Sequence, residues 1–353
     1  MNLWSYILKR VLLMIPTLLG VIAITFAVIQ FVPGGPVEQA LIELKKGQVG
    51  AGESSGGGRS EYRGRQGVDA ERVAEIKALY GFDKPPLERF WQMLKGFAKF
   101  DLGQSFYHHQ DVWGLVKSKL PVSISIGLWT FFLTYLISVP LGIAKAVREG
   151  SRFDHVTSML VLVGYSIPGF VLGVALLVLF AGSGFVQWFP LRGLTSDDWE
   201  TLTTFGKIKD YLWHITLPVT ASVAGAFAVM TMLTKNTFLE EIRKQYVMTA
   251  RAKGLSERAV LYKHVFRNAL IPLVTGFPAA FIGAFFAGSL LIETLFSLDG
   301  LGLLSYESVV RRDYPVVLGT LYLFTLIGLV VKLLGDLCYV WADPRVQFES
   351  LAS

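Results

Sequence analysis

The chain has 353 residues, of which 52% are hydrophobic and only 17% are charged, and its mean hydropathy is +0.49. A domain with a charged, solvated surface does not carry such an apolar excess, so the composition excludes an ordinary water-soluble protein and indicates a membrane protein. The single cysteine, Cys338, excludes an intrachain disulfide, and the net charge of +6 is concentrated in particular loops, which is typical of membrane topology and not of nucleic-acid binding.

Six stretches of the chain are apolar over about 20 residues, the length that a membrane-spanning helix needs. We therefore expect an all-α membrane protein with six transmembrane helices and both termini on one side of the membrane. The predicted spans are Val11–Val32, Pro121–Val147, Val156–Gly182, Leu212–Leu233, Leu270–Ile292 and Pro315–Val340.

The spans divide the chain into four regions. Residues 1–32 hold the N-terminus and the first span, which has Lys9 and Arg10 before it and is too long for a signal peptide. Residues 33–120 form a long outer segment, residues 121–341 form a core with five helices, and residues 342–353 form a tail.

The outer segment contains a patch at about residues 47–67 that is rich in Gly and Ser and is predicted to be flexible. Apolar spacing after this patch predicts two short helices, Asp69–Tyr80 and Leu87–Phe100. The patch lacks the Gly-x-x-x-x-Gly-Lys-Ser/Thr pattern of a phosphate-binding loop, as does the rest of the chain. We therefore expect this chain to bind no cofactor, and any ATP and Mg²⁺ to bind to another polypeptide.

Basic residues predict the orientation, because short loops rich in Lys and Arg stay in the cytoplasm. Residues 235–268, called the polar loop below, carry eight Lys or Arg residues and three Glu residues between two predicted spans. Lys9, Arg10 and Lys145 lie at the ends of other predicted spans, and this orientation places those ends in the cytoplasm. Both termini are therefore predicted to be cytoplasmic.

The polar loop itself has the pattern of a helix, a turn and a second helix. Gly254 is suited to end the first helix in a left-handed conformation, and Ser256 is suited to cap a second helix that runs to Asn268. Such a basic helix pair can lie on anionic lipid or dock onto a cytosolic partner, and the spacing alone leaves both open. The first helix is predicted to place one set of residues near a single face: Leu239, Ile242, Tyr246, Thr249 and Ala250.

The sequence of the polar loop also resembles a known family. Residues 245–255 (QYVMTARAKGL) and 264–272 (HVFRNALIP) are similar to the EAA loop of ATP-binding-cassette importer permeases, in the form found in the dipeptide and oligopeptide group. Other segments resemble the same group in the same order, and the similarity covers nearly the whole chain. These segments include residues 80–85, 100–105, 120–123, 214–218, 293–296, 300–302, 312–315 and 343–345.

The resemblance implies a type I importer permease fold and assigns the polar loop to coupling with the ATPase. The residues implied in coupling are Tyr246, Thr249, Ala250, Arg251, Ala252, Lys253, Gly254 and Leu255. The implied partners are a homologous second permease, a cytosolic ABC ATPase, a periplasmic substrate-binding protein and the lipid bilayer, with no nucleic acid. Met248 and Thr249 stand where the wider family has Glu and Ala, which removes one carboxylate from the expected docking surface.

Two segments, Tyr62–Arg65 and Ile208–Trp213, are most similar to the Yej-type permeases of that group. This subgroup is linked to uptake of peptides and of peptide–nucleotide compounds of the microcin C kind. The resemblance therefore implies a subunit of the bacterial inner membrane that moves peptides or peptide-like compounds into the cytoplasm by alternating access.

Three ionisable residues near span ends are further candidates. Glu293 is predicted to face the pathway, a subunit interface or a wet interfacial position, and these alternatives stay open. Lys332 and Asp336 lie four residues apart, which predicts either a local pair at the interface or a role in gating or partner contact. No residue set has the pattern of a catalytic or metal site, so the chain is not expected to be an enzyme.

The alternative from another class is a self-contained secondary transporter or channel. Such a protein would carry paired broken helices in inverted halves or buried acids that couple to ions. The central parts of the first five predicted spans contain no Asp, Glu, Lys or Arg, which favours the importer subunit.

Overall fold

The structure is a computed structural model that describes residues 3–32, 77–78, 82–182, 185–286 and 289–342. Within these ranges the chain is helical, and the only β-type pairings are the isolated bridges Gln104–Asp111 and Ala181–Phe189. The prediction of an all-α protein is confirmed for this part of the chain. Its helices are α1 (Leu3–Phe31), α2 (Pro86–Phe97), α3 (Val112–Val147), α4 (Arg152–Ser166), α5 (Gly169–Phe180), α6 (Thr204–Ile242), α7 (Gln245–Ala252), α8 (Glu257–Ala269), α9 (Ile271–Phe286), α10 (Leu290–Leu295), α11 (Leu301–Val310) and α12 (Tyr314–Ala342).

Four of the described helices are long and apolar enough to cross a membrane: α1, α3, α6 and α12. Two bent pairs also pass when each pair is counted as one span, α4 with α5 at 92° and α8 with α9 at 51°. The described chain therefore reaches the predicted six spans only if each bent pair crosses the membrane.

The break between α4 and α5 lies inside the predicted third span. Ile167 has an extended backbone (φ −93°, ψ 116°) and Pro168 follows it. Proline disfavours helical backbone in the residue before it and has no N–H to donate, so the helix ends at Ser166 and restarts at Gly169. The predicted third span, Val156–Gly182, is therefore bent by 92° at this break.

The fourth predicted span lies within α6, which is much longer than Leu212–Leu233. This helix has 39 residues and begins with a capped turn, where the Thr203 hydroxyl accepts a hydrogen bond from the Gly206 N–H at 3.2 Å. It ends at Ile242, well inside the polar loop. The span and the first part of the loop are therefore one rigid element.

Of the two helices predicted in the outer segment, the second is confirmed as α2, with Pro86 at its first position. Lys77 and Ala78 are helical, and the rest of the first predicted helix lies outside the described residues. The Gly-rich patch at residues 47–67 and the tail after Ala342 also lie outside them.

The chain divides into two compact units. One comprises Met1–Leu12, Lys119–Leu304 and Ile327–Ser353, and the other comprises Leu13–Ser118 and Ser305–Leu326. The larger unit holds the polar loop and two clusters of buried apolar side chains. The first cluster includes Ile126, Leu177, Leu217, Ala221, Ile292 and Phe296, and the second includes Ala146, Phe238, Val247, Ala250, Val260, Val265 and Ala269.

Candidate functional site

The polar loop begins as the end of α6 and is broken before α7. Lys244, the N-cap of α7, has an extended backbone (φ −72°, ψ 149°), so the predicted continuous first helix is wrong. The Glu241 carboxylate joins the two sides of this break, because it contacts the Lys244 ammonium group and accepts a hydrogen bond from the Tyr246 hydroxyl at 2.6 Å. The loop therefore presents α7 as a short separate helix.

The turn after α7 has the conformation that its sequence predicts. Gly254 has φ +81°, in the left-handed region that favours glycine, and an added Cβ would meet no atom within 4 Å. Ser256 caps α8 by accepting a hydrogen bond from the Ala259 N–H at 3.4 Å. Arg251 and Glu257 form a two-point ion pair at 2.9 and 3.1 Å across the turn. Both predicted turn residues, Gly254 and Ser256, are confirmed in these conformations.

The second helix of the loop is present but irregular, since residues Val260–Val265 within α8 form π-helical turns. Such turns insert extra backbone into a helix and are frequent at functional sites. Val260 and Val265 are nonetheless almost fully buried, so this distortion belongs to a packed part of the loop.

One face of α7 is packed and the other is open. Val247 and Ala250 are buried against Phe238, Val260 and Val265. Ala250 therefore supports the loop from inside. Gln245 at the start of α7 is exposed. The exposed residues from Met248 onward in α7 and its turn are called the loop tip below: Met248, Thr249, Ala252, Lys253, Gly254 and Leu255. The loop tip combines small residues with one lysine and with the larger apolar side chains of Met248 and Leu255.

The Tyr246 hydroxyl connects three parts of the polar loop. Besides donating to Glu241, it accepts a hydrogen bond from the Asn268 side chain at 3.1 Å. Burial is the main effect that raises the pKa of Tyr246, and the bond to Glu241 adds to it, so the hydroxyl stays a donor at neutral pH. Sequence reasoning missed Glu241 and Asn268, because in a continuous helix residues 241 and 246 would point in different directions.

A buried ionic cluster lies beneath the loop. The Lys145 side chain is fully buried at the end of α3, with its Nζ 3.2 Å from Asp154 Oδ1 and within 2.9 Å of the Thr157 and Ser158 hydroxyls. Lys235, on α6, donates to both carboxylate oxygens of Asp154 at 2.7 and 2.8 Å. Asp154 thus joins α3, α4 and α6, the last of which continues into the polar loop. In the sequence, these residues were noted only as charged residues of the cytoplasmic loops. That pattern did not show that Asp154 contacts both lysines.

The larger unit also encloses a cavity of about 880 Å³ between α3, α4, α5, α6, α9 and α10. None of the described residues that line it is charged, and its polar groups are hydroxyls. The hydroxyl-bearing residues are Thr130, Thr134, Tyr135, Tyr165, Ser222 and Ser289. Thr130 Oγ1 and Thr134 Oγ1 are buried without a hydrogen-bond partner in the described chain. They lie one helical turn apart on α3, behind the cavity surface.

Glu293 does not occupy a wet interfacial position. Its side chain is fully buried, and Oε2 accepts a hydrogen bond from the Leu303 N–H at 2.7 Å. A Cβ at Gly300 would lie 2.6 Å from this carboxyl group, so the turn closes tightly over it. Leu291 and Ile292 line the cavity and Glu293 does not. A role at a pathway or subunit interface stays a prediction.

The local pair of Lys332 and Asp336 is not formed. Asp336 instead accepts a hydrogen bond from the Tyr6 hydroxyl at 2.8 Å and lies 3.2 Å from Arg10 Nη2. Lys332 is exposed. The spacing of four residues was compatible with a pair, but α1 supplies stronger partners. A role for Lys332 in gating or partner contact stays a prediction.

Comparison with known proteins extends over nearly the whole chain. Residues 138–348 match the family described as "Binding-protein-dependent transport system inner membrane component". The "Peptidoglycan transport system permease protein YejB" of Agrobacterium fabrum is 55% identical, with 98% of each chain covered. The "Inner membrane ABC transporter permease protein YejB" of Escherichia coli O157:H7 is 52% identical, with 98% of this chain and 99% of that one covered.

More distant relatives include the "Dipeptide transport system permease protein DppB" of Escherichia coli K12, 33% identical over 98% of this chain and 99% of its own. Among solved structures, the inward-facing MetNI methionine ABC transporter matches with a TM-score of 0.46 and 17% identity, covering 65% of this chain and 97% of that one.

Proposed function

The chain belongs to the family of inner-membrane components of binding-protein-dependent transport systems, and from this premise we propose that it is the translocating subunit of an ATP-driven peptide importer. The resemblance to peptide-group permeases, and to Yej-type permeases within that group, is confirmed by the identities of 52–55% and 33%. Together with its apolar helices, this family makes the chain a multi-pass inner-membrane permease of the ABC type.

The observation that carries the proposal is the geometry of the polar loop. A short helix ends in a left-handed glycine, its inner face is packed through Val247 and Ala250, and its tip exposes Met248 and Leu255 beside small residues. The small residues allow another protein's backbone to approach closely, and the two larger side chains offer apolar contact. These features support the loop tip as the docking element for a cytosolic ABC ATPase that holds ATP and Mg²⁺.

The cavity supports the transport of peptide-like compounds. It offers hydroxyl groups that can bond to amide groups and has no described charged residue that would hold a peptide terminus tightly. A pathway of this kind binds weakly, so we assign substrate selection to a separate periplasmic binding protein. The relatives are named for peptidoglycan and for dipeptides, which share short peptide chains, and we extend the proposal to peptide–nucleotides of the microcin C kind.

Assembly with a homologous second permease would complete the translocation path, with both termini of this chain in the cytoplasm. ATP favours one arrangement of the ATPase over another, so its binding and hydrolysis would bias the permease between outward-facing and inward-facing states. Helix α6 lines the cavity and continues into the polar loop. In this scheme it transmits movement of the ATPase to the cavity.

The test is co-purification of the ATPase with two variants at one position, Gly254→Val and Gly254→Asn. No atom of the described chain lies within 4 Å of an added Cβ, so neither variant clashes within the loop, and the two side chains are of similar size. They differ chiefly in how well they tolerate φ +81°. Valine is strongly disfavoured there and asparagine is tolerated. We expect the valine variant to lose the ATPase and the asparagine variant to retain it.

Retention of the ATPase by a well-folded Gly254→Val variant would contradict docking through the loop tip. Proton-driven peptide uptake by the purified chain alone in liposomes would contradict the importer itself and support the secondary transporter.

A further inference from the structure

Arg89 in the smaller unit has an environment that the transport proposal does not use. It lies in the second turn of α2, where its Nη2 donates to the Gln30 side chain at 2.6 Å. The guanidinium carbon is 4.3 Å from the centre of the Phe82 ring and 6.0 Å from that of Phe26. Stacking on Phe82 fixes the plane of the guanidinium group.

None of these partners neutralises the charge. No carboxylate of the described chain forms an ion pair with Arg89, and its Nε is buried without a hydrogen-bond acceptor. A neutral amide and an aromatic face offset only part of the cost of removing a guanidinium group from water. The buried Nε is closed to a ligand, but Nη1 has no hydrogen-bond partner in the described chain and is available to an anion.

A cavity of about 300 Å³ lies beside this group. Its walls are mainly apolar and aromatic, including Phe82, Met93, Phe97 and Phe106. Asp101 is its one acidic wall residue among those described, and the Asp101 Oδ1 accepts a hydrogen bond from the Gly103 N–H at 3.0 Å. The site thus combines one unpaired cation with an apolar enclosure.

The position of Gln30 and Phe26 sets the depth of the site. Both lie within the last two turns of α1, a helix long and apolar enough to cross the membrane. Nearby side chains of the same helix, Val28 and Phe31, are 57% and 86% exposed, as expected of a surface that contacts lipid. The cation therefore lies where the helix leaves the hydrocarbon and where lipid phosphates are found.

We propose that Arg89 and this cavity bind the phosphodiester group of a membrane phospholipid. The guanidinium group donates to the phosphate oxygens in the two-point geometry that arginine favours, and the apolar walls contact the glycerol and the first acyl carbons. In the orientation proposed above, this lipid lies in the periplasmic leaflet. A carboxylate of a transported peptide fits the charge but not the apolar walls next to a lipid-facing helix.

The first experiment measures phospholipid retained by the full chain, purified in detergent with its partner subunits. Arg89→Gln removes the cation, and Lys95→Gln removes one positive charge from the exposed surface of the same helix. We expect the Arg89 variant to lose at least half of the retained phosphatidylglycerol, and the Lys95 variant to match the wild type. Equal retention by all three proteins, or equal loss in both variants, would overturn the proposal.

A second measurement uses only the wild-type protein, so it does not depend on the folding of a variant. Dihexanoyl-phosphatidylglycerol should raise the thermal unfolding midpoint, while dihexanoylglycerol and inorganic phosphate at the same concentration should not. An equal shift of the unfolding midpoint with inorganic phosphate would assign the site to a free anion and overturn the proposal of a lipid site. A shift with a tripeptide but not with its C-terminal amide, in the absence of a phospholipid shift, would assign it to a peptide carboxylate and also overturn the proposal.

Discussion

The ammonium group of Lys145 is completely buried and lies 3.2 Å from the carboxylate of Asp154. Lys235 approaches the same carboxylate from α6, so one acid serves two lysines. Within the described chain, removing the shared acid would leave Lys145 with two hydroxyls and a carbonyl, and would leave Lys235 without a hydrogen-bond partner. Asp154 is therefore the residue on which this cluster depends.

We predict that Asp154→Asn destabilises the protein by about 3–5 kcal/mol, the usual cost of leaving one partner of a buried ion pair alone. The measurement is the thermal or denaturant midpoint in detergent. Glu149→Gln is the matched control, because Glu149 pairs with Arg243 at 2.7 Å but both side chains are largely exposed. Its cost should be about 0–1 kcal/mol. Similar losses in the two variants would show that the buried cluster contributes no more than a surface pair.

Tyr246→Phe should loosen the polar loop without changing its apolar core. The change removes the hydroxyl that bonds Glu241 and Asn268 and leaves their partly buried groups unsatisfied, at a cost of about 1–3 kcal/mol. Hydrogen exchange of the Gln245–Ala252 amides should become faster. Thr249→Val is the control, since the Thr249 hydroxyl bonds only to the Gln245 carbonyl of its own helix at 3.0 Å. Unchanged hydrogen exchange in the Tyr246→Phe variant would show that the Tyr246 hydroxyl does not restrain the loop.

The sequence allowed the helical class of the described chain and the turn of the loop to be predicted, but not the break at Lys244. Gly254 and Ser256 act through local backbone chemistry, which is why their conformations could be read from residue type. At the break, Glu241 contacts Lys244 and accepts a hydrogen bond from Tyr246. In a continuous helix Glu241 and Tyr246 would point in different directions, so helical periodicity does not predict this contact.

The same limit applies to the candidate ionisable residues. Spacing made Lys332 one possible partner of Asp336, but Tyr6 and Arg10, more than 300 positions away, are its partners. A wet position was one of the alternatives predicted for Glu293, whereas the turn at Gly300 buries it. Contacts between residues distant in sequence require the fold.

Gly127→Ala should disrupt the packing of α3 against α9. An added Cβ would overlap the carbonyl oxygen of Ala284, which belongs to the backbone and cannot rotate away. Overpacking of this kind costs about 1–3 kcal/mol or more, visible as a lower midpoint and a lower yield. Gly283→Ala adds the same methyl group to α9 where no atom lies within 4 Å, and should be tolerated. Equal behaviour of the two alanine variants would contradict close contact at Gly127.

The cavity hydroxyls permit a test that separates transport from stability. Thr134 and Thr231 are both buried, and neither hydroxyl has a hydrogen-bond partner in the described chain. Only Thr134 lines the cavity. Replacement by valine keeps the shape of the side chain and removes a hydroxyl that is already unsatisfied, so both variants should be as stable as the wild type or more stable.

Peptide uptake should nevertheless differ between them. The Thr134 hydroxyl is buried in this structure. If the transport cycle exposes it and amide groups of the substrate bond to it, Thr134→Val should slow uptake by a factor of about 2–10, the effect of losing one hydrogen bond of about 0.5–1.5 kcal/mol. Thr231→Val should transport at the wild-type rate, since its hydroxyl does not reach the cavity. The measurement is ATP-dependent uptake of a labelled tripeptide by the reconstituted complex. Equal rates for the two variants would mean that the substrate does not contact Thr134, and that the path lies outside this cavity.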